Sequence, residues 1–373
     1  MQTPLQKSLL GLDLQELTSL VEEMGEAAFR GRQLFEGIYR QRTESFEGIS
    51  TLSRDLRHTL TDEGFSIGLP TIQRKFVSID GTIRYLLAFA DGQSVETVWM
   101  PEGDGGEAGD GSDADFPCGA SSHAWHRATI CVSSQIGCAV DCQFCLTALL
   151  GVKRNLSAGE IVGQVSAVIK DQGVVPPEDR INLVFMGMGE PFLNYDNFIK
   201  AAHLLVKGVG ITESRMTVST AGIVPRIYDL GAESIRPKLA ISLNAPNDEL
   251  RNRLMPINRK WNIEKLITAG HDFPLRSREK LTFEYVLLDG VNDSSENARQ
   301  VAELMRGIRA KVNLIALNPG PGIDFRTPAN DRVLQFQKTL TQGGVPTFIR
   351  RPRGRDIFAA CGQLKQTIEL QHN

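Results

Sequence analysis

Residues 137–145 read GCAVDCQFC and place Cys138, Cys142 and Cys145 on one short stretch with the spacing C-x3-C-x2-C. Thiolates are soft ligands, and three so close together point to a metal centre. A structural zinc site wants four tetrahedral ligands, usually as two separated C-x2-C pairs, and no second pair follows. Cys131 is a fourth thiol in principle, but it sits inside ATICVSS, a run that reads as a strand. Three thiolates suit a cubic [4Fe–4S] cluster with one iron left open to an outside ligand. Such clusters are normally held by four cysteines, so an open corner implies a function. Zinc stays as the competing reading of these residues alone.

The elements that must hold this loop follow from the pattern around it. From Arg127 onward, short apolar runs alternate with helical ones. ATICVSS, INLVFMG, MTVST, KLAISLN, LTFEYVLL and KVNLIAL read as strands, and segments such as SAGEIVGQVSAVIKDQG and SENARQVAELMRGIRA read as helices. Six βα units imply an α/β fold with a parallel sheet and right-handed crossovers. A doubly wound sheet and a partial (β/α)6 TIM-type barrel both fit that count. Each strand breaks at its C-terminal end into polar or glycine-rich sequence: the cysteine loop, GMGEP, STAG, SLNAP, LDGVND and NPGPG. Barrel enzymes build their sites from those ends, which favours the partial barrel.

Before the barrel, residues 1–68 read as a small helical domain carrying LDLQELTSLVEEMG, FRGRQLFEGIYRQR and SRDLRHTLTDEG. Residues 69–100 read as a linking β-meander, with Asp80-Gly81 and Asp91-Gly92 at its hairpin turns. Residues 101–126 form an acidic insertion that holds Glu102, Asp104, Glu107, Asp110, Asp113 and Asp115 and no Lys or Arg. It is rich in Gly and Asp, has little to bury, and is expected to be a mobile loop rather than a metal site built on Cys118, His123 and His126. Residues 127–373 make up the barrel and a C-terminal loop.

The bulk numbers are those of a globular chain with a core: 41% hydrophobic and 23% charged over 373 residues. The net charge of −3 argues against a nucleic-acid partner only superficially. Without the six acids of the insertion, 41 basic residues face 38 acidic ones. No apolar run is long enough to cross a bilayer, and the N-terminus lacks the features of a signal peptide, so a cytoplasmic location without membrane contact is expected. Six cysteines are too few for a disulfide scaffold of this size.

The cysteine loop, with Phe144 before its last cysteine, resembles the signature of the radical S-adenosylmethionine (SAM) enzymes. RATICVSSQIGC, FCLTALLGVKRNL, FMGMGEP, SLNAPND, MPIN, AACGQL and the N-terminal GEAAFRGRQLFEGIY further resemble the RlmN/Cfr family of RNA methyltransferases. The similarity runs over nearly the whole chain except the acidic insertion. It implies that Cys138, Cys142 and Cys145 hold a [4Fe–4S] cluster, and that Gly189, Glu190, Ser219, Ser242, Leu243, Asn244 and Asn318 bind SAM. It implies further that Cys361 carries a methyl group, that Cys131 resolves a covalent intermediate, and that Glu96 accepts a proton. Taken alone, Cys131 and Cys361 read as buried structural thiols and Glu96 as a solvated strand position. The family often has His where this chain has Asn244. Asn can hydrogen-bond a ribose or a carboxylate, but it does not titrate near neutral pH.

The resemblance also implies a reaction. C2 of adenine lies between two ring nitrogens and is too electron-poor to attack the SAM methyl. Members of the family first methylate the acceptor cysteine, which must be a thiolate to react. A radical derived from a second SAM removes hydrogen from that methyl, and the resulting methylene adds to C2. The second cysteine then frees the product as a transient disulfide forms. The implied partners are 23S rRNA, tRNA and an electron donor of flavodoxin or ferredoxin type, with the enzyme itself a monomer. RRPRGR (Arg350, Arg351, Arg353, Arg355) precedes the acceptor cysteine and is a candidate phosphate-binding run, as are Arg30, Arg32, Arg40 and Arg42. A sister activity at C8 of adenine shares the cluster and both cysteines, and a non-catalytic zinc-dependent RNA-binding protein is the alternative from another class.

Overall fold

The computed structural model describes residues 7–101 and 127–364. The acidic stretch from Glu102 to His126, with Cys118, His123 and His126, lies outside the described residues.

The N-terminal helices form where the apolar spacing places them. α1 (Leu14–Glu23) opens on a capping box in which Asp13 accepts from the Glu16 amide and Glu16 accepts from the Asp13 amide. α2 (Phe29–Phe35) runs directly into a wider turn, Glu36–Arg40, and α3 (Arg54–Asp62) is capped by Ser53. Leu17, Val21, Leu34, Ile38, Leu56 and Leu60 face inward and are continuous with the core of the barrel. Tyr39 pins the chain entry: its hydroxyl accepts from the Gly11 amide at 2.9 Å and donates to the Leu12 carbonyl at 2.8 Å.

Ten strands make one sheet and lie side by side in chain order. β1 (Thr71–Val77), β2 (Ile83–Ala88) and β3 (Ser94–Pro101) are antiparallel, and β3 pairs antiparallel with β4 (Ala128–Cys131). From β4 the sheet continues in parallel through β5 (Ile181–Phe185), β6 (Met216–Thr220), β7 (Lys238–Ser242), β8 (Leu281–Leu287), β9 (Ala310–Ala316) and β10 (Thr347–Ile349). The crossovers carry α4 (Ala158–Asp171), α5 (Tyr195–Leu204), α6 (Val224–Ala232), α7 (Asp248–Leu254) with α8 (Ile263–Asp272), α9 (Ser295–Leu304) and α10 (Asn330–Gln342). A doubly wound sheet reverses its strand order at a switch point. Here the order never reverses, so right-handed crossovers return every helix to one face and the parallel part curls into an open barrel.

The expected strands are all present, and two features go beyond the expectation. β10 adds a seventh parallel strand, too short at three residues to show a period. The meander is hydrogen-bonded into the same sheet, with Val98 of β3 opposite Cys131 of β4. That register sets Val98 and Glu96 on the face of Cys131, with Glu96 displaced toward the C-terminal mouth of the barrel. No described helix is long and apolar enough to cross a membrane.

Candidate active site

The cysteine loop is anchored at both ends. A two-stranded ribbon, Gln135–Gly137 with Val152–Asn155, closes its base, and the Cys138 amide donates to the Gly151 carbonyl at 3.0 Å. The Gln143 amide donates to the Leu254 carbonyl at 3.0 Å, fastening the loop to the end of α7. Val140, Leu254, Met255, Leu288 and Leu317 form a small apolar floor against which Cys138, Cys142 and Phe144 pack. Burial pushes the Cys138 thiol up to about 12 and Cys142 well above the ordinary range, and the neighbouring cysteines raise both further. Bound metal reverses this balance, because thiolates are stabilised by the positive charge they ligate. Among the described residues no three His, Cys, Asp or Glu side chains stand close enough to hold a single ion. Three cysteines on one loop match the ligand count of a cubane with one open iron, whereas a structural zinc takes four protein ligands.

The strand ends beside the loop supply the candidate SAM wall. Gly189 has φ +97°, and a Cβ there would come within 2.7 Å of the Gln135 backbone nitrogen, so the turn needs glycine. Glu190 is buried, and its carboxylate accepts from the Ala221 amide at 2.7 Å and the Phe192 amide at 3.0 Å. Burial raises it to about 7 even though both amides pull it down. Ser219 donates to Glu284 at 2.8 Å, with the Ser242 hydroxyl 3.4 Å away. Asn244 sits at φ +56°, which Asn tolerates better than most residues. Its Oδ1 accepts from the Val286 amide at 2.8 Å, and its Nδ2 lies 3.2 Å from the Met255 sulfur. Leu243 is fully buried behind this wall. Asn318 donates to the Cys361 carbonyl at 3.2 Å, while its buried Oδ1 has no partner among the described residues, an open acceptor that fits a ribose hydroxyl.

Cys361 and Cys131 are brought to the same mouth. Cys361 is exposed on the C-terminal loop, Cys131 is buried at the end of β4, and neither is in a disulfide among the described residues. Burial lifts the Cys131 thiol far above its ordinary range. The charges of Cys361 and Glu284 add to the lift, and Arg350 opposes it. The loop bearing Cys361 is bound to the cluster loop: Leu146 donates to the Gly362 carbonyl at 2.8 Å and Thr147 to the Leu364 carbonyl at 2.6 Å.

Glu96 is not a solvated strand position. It is fully buried and forms an ion pair with Arg84, itself fully buried and stacked 4.2 Å from the Phe76 ring centroid. The arginine run is also divided. Arg353 is spent on the meander, donating to the Pro101 carbonyl at 3.0 Å beside Asp80, and Arg350 is half-buried. Arg351 and Arg355 remain exposed, as do Arg32 and Arg40 at the other candidate surface, whereas Arg30 pairs with Glu26.

Three residues of this site escaped the sequence reading: Arg84, Arg251 and Glu284. Glu284 is a lone acid in the apolar run LTFEYVLL, and that was its available signal. Arg251 lies in the polar run NDELRNRL, where nothing separates it from its exposed neighbours.

An open parallel barrel with a three-cysteine loop at its C-terminal mouth defines a radical SAM protein. The sequence model of the radical SAM superfamily matches residues 132–302, and that of the ribosomal RNA large subunit methyltransferase N-terminal domain matches residues 7–64. The probable dual-specificity RNA methyltransferase RlmN of Koribacter versatilis is 65% identical over 347 residues, 93% of this chain and 98% of that protein. The dual-specificity RNA methyltransferase RlmN of Syntrophobacter fumaroxidans is 45% identical over 354 residues, 94% of this chain and 96% of that protein. A crystal structure of a radical SAM methyltransferase from Sphaerobacter thermophilus superposes with a TM-score of 0.84 at 39% identity, covering 96% of this chain and 99% of that one. The chain belongs to the RlmN family of radical SAM RNA methyltransferases. Its cofactors are accordingly a [4Fe–4S] cluster and SAM.

Proposed function

We propose that this chain methylates C2 of an adenine in 23S rRNA and in tRNA, with Cys361 carrying the one-carbon unit and Cys131 releasing it. The observation that carries this reading is the pairing of an exposed and a buried thiol within electrostatic reach of each other, beside a three-cysteine loop. Cys138, Cys142 and Cys145 hold the cluster, and the wall from Gly189 to Asn318 holds SAM. When bound, the cluster would supply the electron for reductive cleavage of SAM.

The remaining work falls to this chain's own side chains. Cys361, exposed, accepts a methyl group from SAM and presents the derived carbon to C2. Glu96 stands on the same sheet face toward the mouth and is the candidate acceptor of the C2 proton. Its buried partner there is Arg84. Cys131 then attacks the Cys361 sulfur. The C–S bond breaks toward carbon, which takes the proton shed by Cys131 to become methyl, the two sulfurs end as a disulfide, and the odd electron left by the addition to C2 would pass back to the cluster. Arg351 and Arg355, both exposed, meet phosphates of the bound RNA in this reading. An electron donor of flavodoxin or ferredoxin type reduces the cluster, and the chain acts as a monomer in the cytoplasm.

The test is mass spectrometry of nucleosides from rRNA and tRNA of cells with and without the gene. 2-Methyladenosine that disappears from both RNAs supports the reading. 8-Methyladenosine in its place overturns the regiochemistry, and no change in either overturns the activity.

A further inference from the structure

Arg251, on the last turns of α7, is fully buried, and each of its four hydrogen bonds ends on a neutral oxygen. Nε donates to the Leu243 carbonyl at 2.9 Å, and Nη2 donates to the carbonyls of Ser242 at 2.9 Å and Ala221 at 2.7 Å. Nη1 donates to Asn258 at 2.8 Å, and Asn258 in turn reaches Asp248 at 2.8 Å. One guanidinium thus ties together the chain just beyond β6 and the end of β7, the stretches that carry Ser219 and Ser242–Asn244. The amide of the same residue, Ala221, donates to Glu190, so Glu190, Ala221 and Arg251 form a continuous brace behind the candidate SAM wall.

A buried cation without a hydrogen-bonded carboxylate costs several kcal/mol unless a counter-charge lies near. The acidic group acting most strongly on Arg251 is Cys142, ahead of Asp248, and the two elements are joined by the Gln143–Leu254 hydrogen bond. Three thiolates around a bound iron–sulfur cube would supply the missing negative charge. We propose that Arg251 is a positioning residue for both halves of the site: it fixes the strand-end carbonyls that shape the SAM wall, and it supplies the buried positive charge that balances the cluster. This rests on the radical SAM reading of the cysteine loop.

The experiment uses the reconstituted full chain with Arg251→Lys and Arg251→Gln, read by redox titration followed by electron paramagnetic resonance and by equilibrium binding of SAM. A nearby cation favours the more negative, reduced cluster, so Arg251→Gln is expected to move the midpoint to a more negative potential. Arg251→Lys keeps the charge and is expected to hold the midpoint close to the parent's. Both variants lose the fork that holds three carbonyls and are expected to bind SAM at least about tenfold more weakly, the loss of one net hydrogen bond. If Arg251→Gln takes up no cluster, Arg251→Lys alone decides between weakened and unchanged SAM binding. Parent-like SAM affinity in Arg251→Lys, or a midpoint displaced as far in Lys as in Gln, overturns the proposal. A parent protein that forms no iron–sulfur chromophore would instead sink the underlying cluster assignment.

Discussion

The amide of Leu146 donates to the carbonyl of Gly362 at 2.8 Å. The residue after Cys145 is thereby bonded to the residue after the exposed Cys361. The cysteine loop and the loop of Cys361 are thus linked one residue beyond each cysteine, and Thr147 repeats the link at Leu364.

Gly362 sits at φ +79°, where an L side chain is strained by about 1–3 kcal/mol. Gly362→Val is expected to retain iron and sulfide, since it touches no cluster ligand, while methylation falls about tenfold or more. Metal analysis alongside single-turnover methylation checks this. A variant that loses the cluster in proportion to activity would show that the loop serves only to hold metal.

The Arg84–Glu96 pair makes a stability prediction of its own. Both side chains are fully buried, so removing one partner leaves an uncompensated charge. Arg84→Met is expected to cost about 3–5 kcal/mol, and Arg84→Met with Glu96→Leu to recover most of that. Chemical denaturation of the four proteins of this cycle measures it. Recovery of fold without recovery of methylation would separate the role of Glu96 in the reaction from its role in the core.

Much of the fold was legible because periodicity reports burial. The six strands and the helices between them show their inner faces as apolar residues, and that pattern survives without any knowledge of neighbours. β10 was not legible, since three residues cannot show a period and its pairing with β9 is long-range. The site divides in the same way. Cys138, Cys142 and Cys145 announce themselves by local spacing, whereas Arg251, Arg84 and Glu284 matter through partners that only the folded chain brings against them. Glu96 was open to misreading for a related reason: a charged residue in a strand looks solvated until its buried counter-ion, twelve positions away, is seen opposite its neighbour Val98.

Glu190 gives a pH prediction. Its folded value lies near 7, above the ordinary 4.5, because burial outweighs the two amide donors. A raised carboxyl contributes stability below about 4.5 that is lost as pH rises through about 7. The shift corresponds to about 3 kcal/mol for this fully buried group. The apo-protein is therefore expected to lose stability between those values, and Glu190→Gln to lose less over the same range. Melting temperatures of the two proteins at matched pH measure the difference, and parallel curves would refute the assignment.

The exposed arginines differ from the engaged one. Arg351→Ala and Arg355→Ala are expected to weaken RNA binding without altering the fold. Each should reduce the slope of log affinity against log salt by about one. Arg353→Ala removes the donor to Pro101 and the contact with Asp80, so it should lower melting temperature instead. Binding measured across a salt series separates the two effects. An unchanged slope for Arg351→Ala and Arg355→Ala would place the RNA elsewhere.

The two thiols should fail in different ways, because one is exposed and the other buried. Cys361→Ala removes the carrier, so no bond to RNA forms. Cys131→Ala leaves the carrier intact but removes the group that breaks that bond, and protein linked to RNA is expected to accumulate. On a denaturing gel this appears as a shifted band that collapses with ribonuclease, and the double variant should show none. Burial holds Cys131 in its thiol form at neutral pH, so release in the parent protein should quicken as pH rises from about 7 to 9, the direction that populates the attacking thiolate. Rapid-quench sampling of the adduct across that range measures it. A release rate independent of pH would mean that deprotonation of Cys131 does not limit the step. Normal turnover by Cys131→Ala would remove this thiol from the reaction altogether.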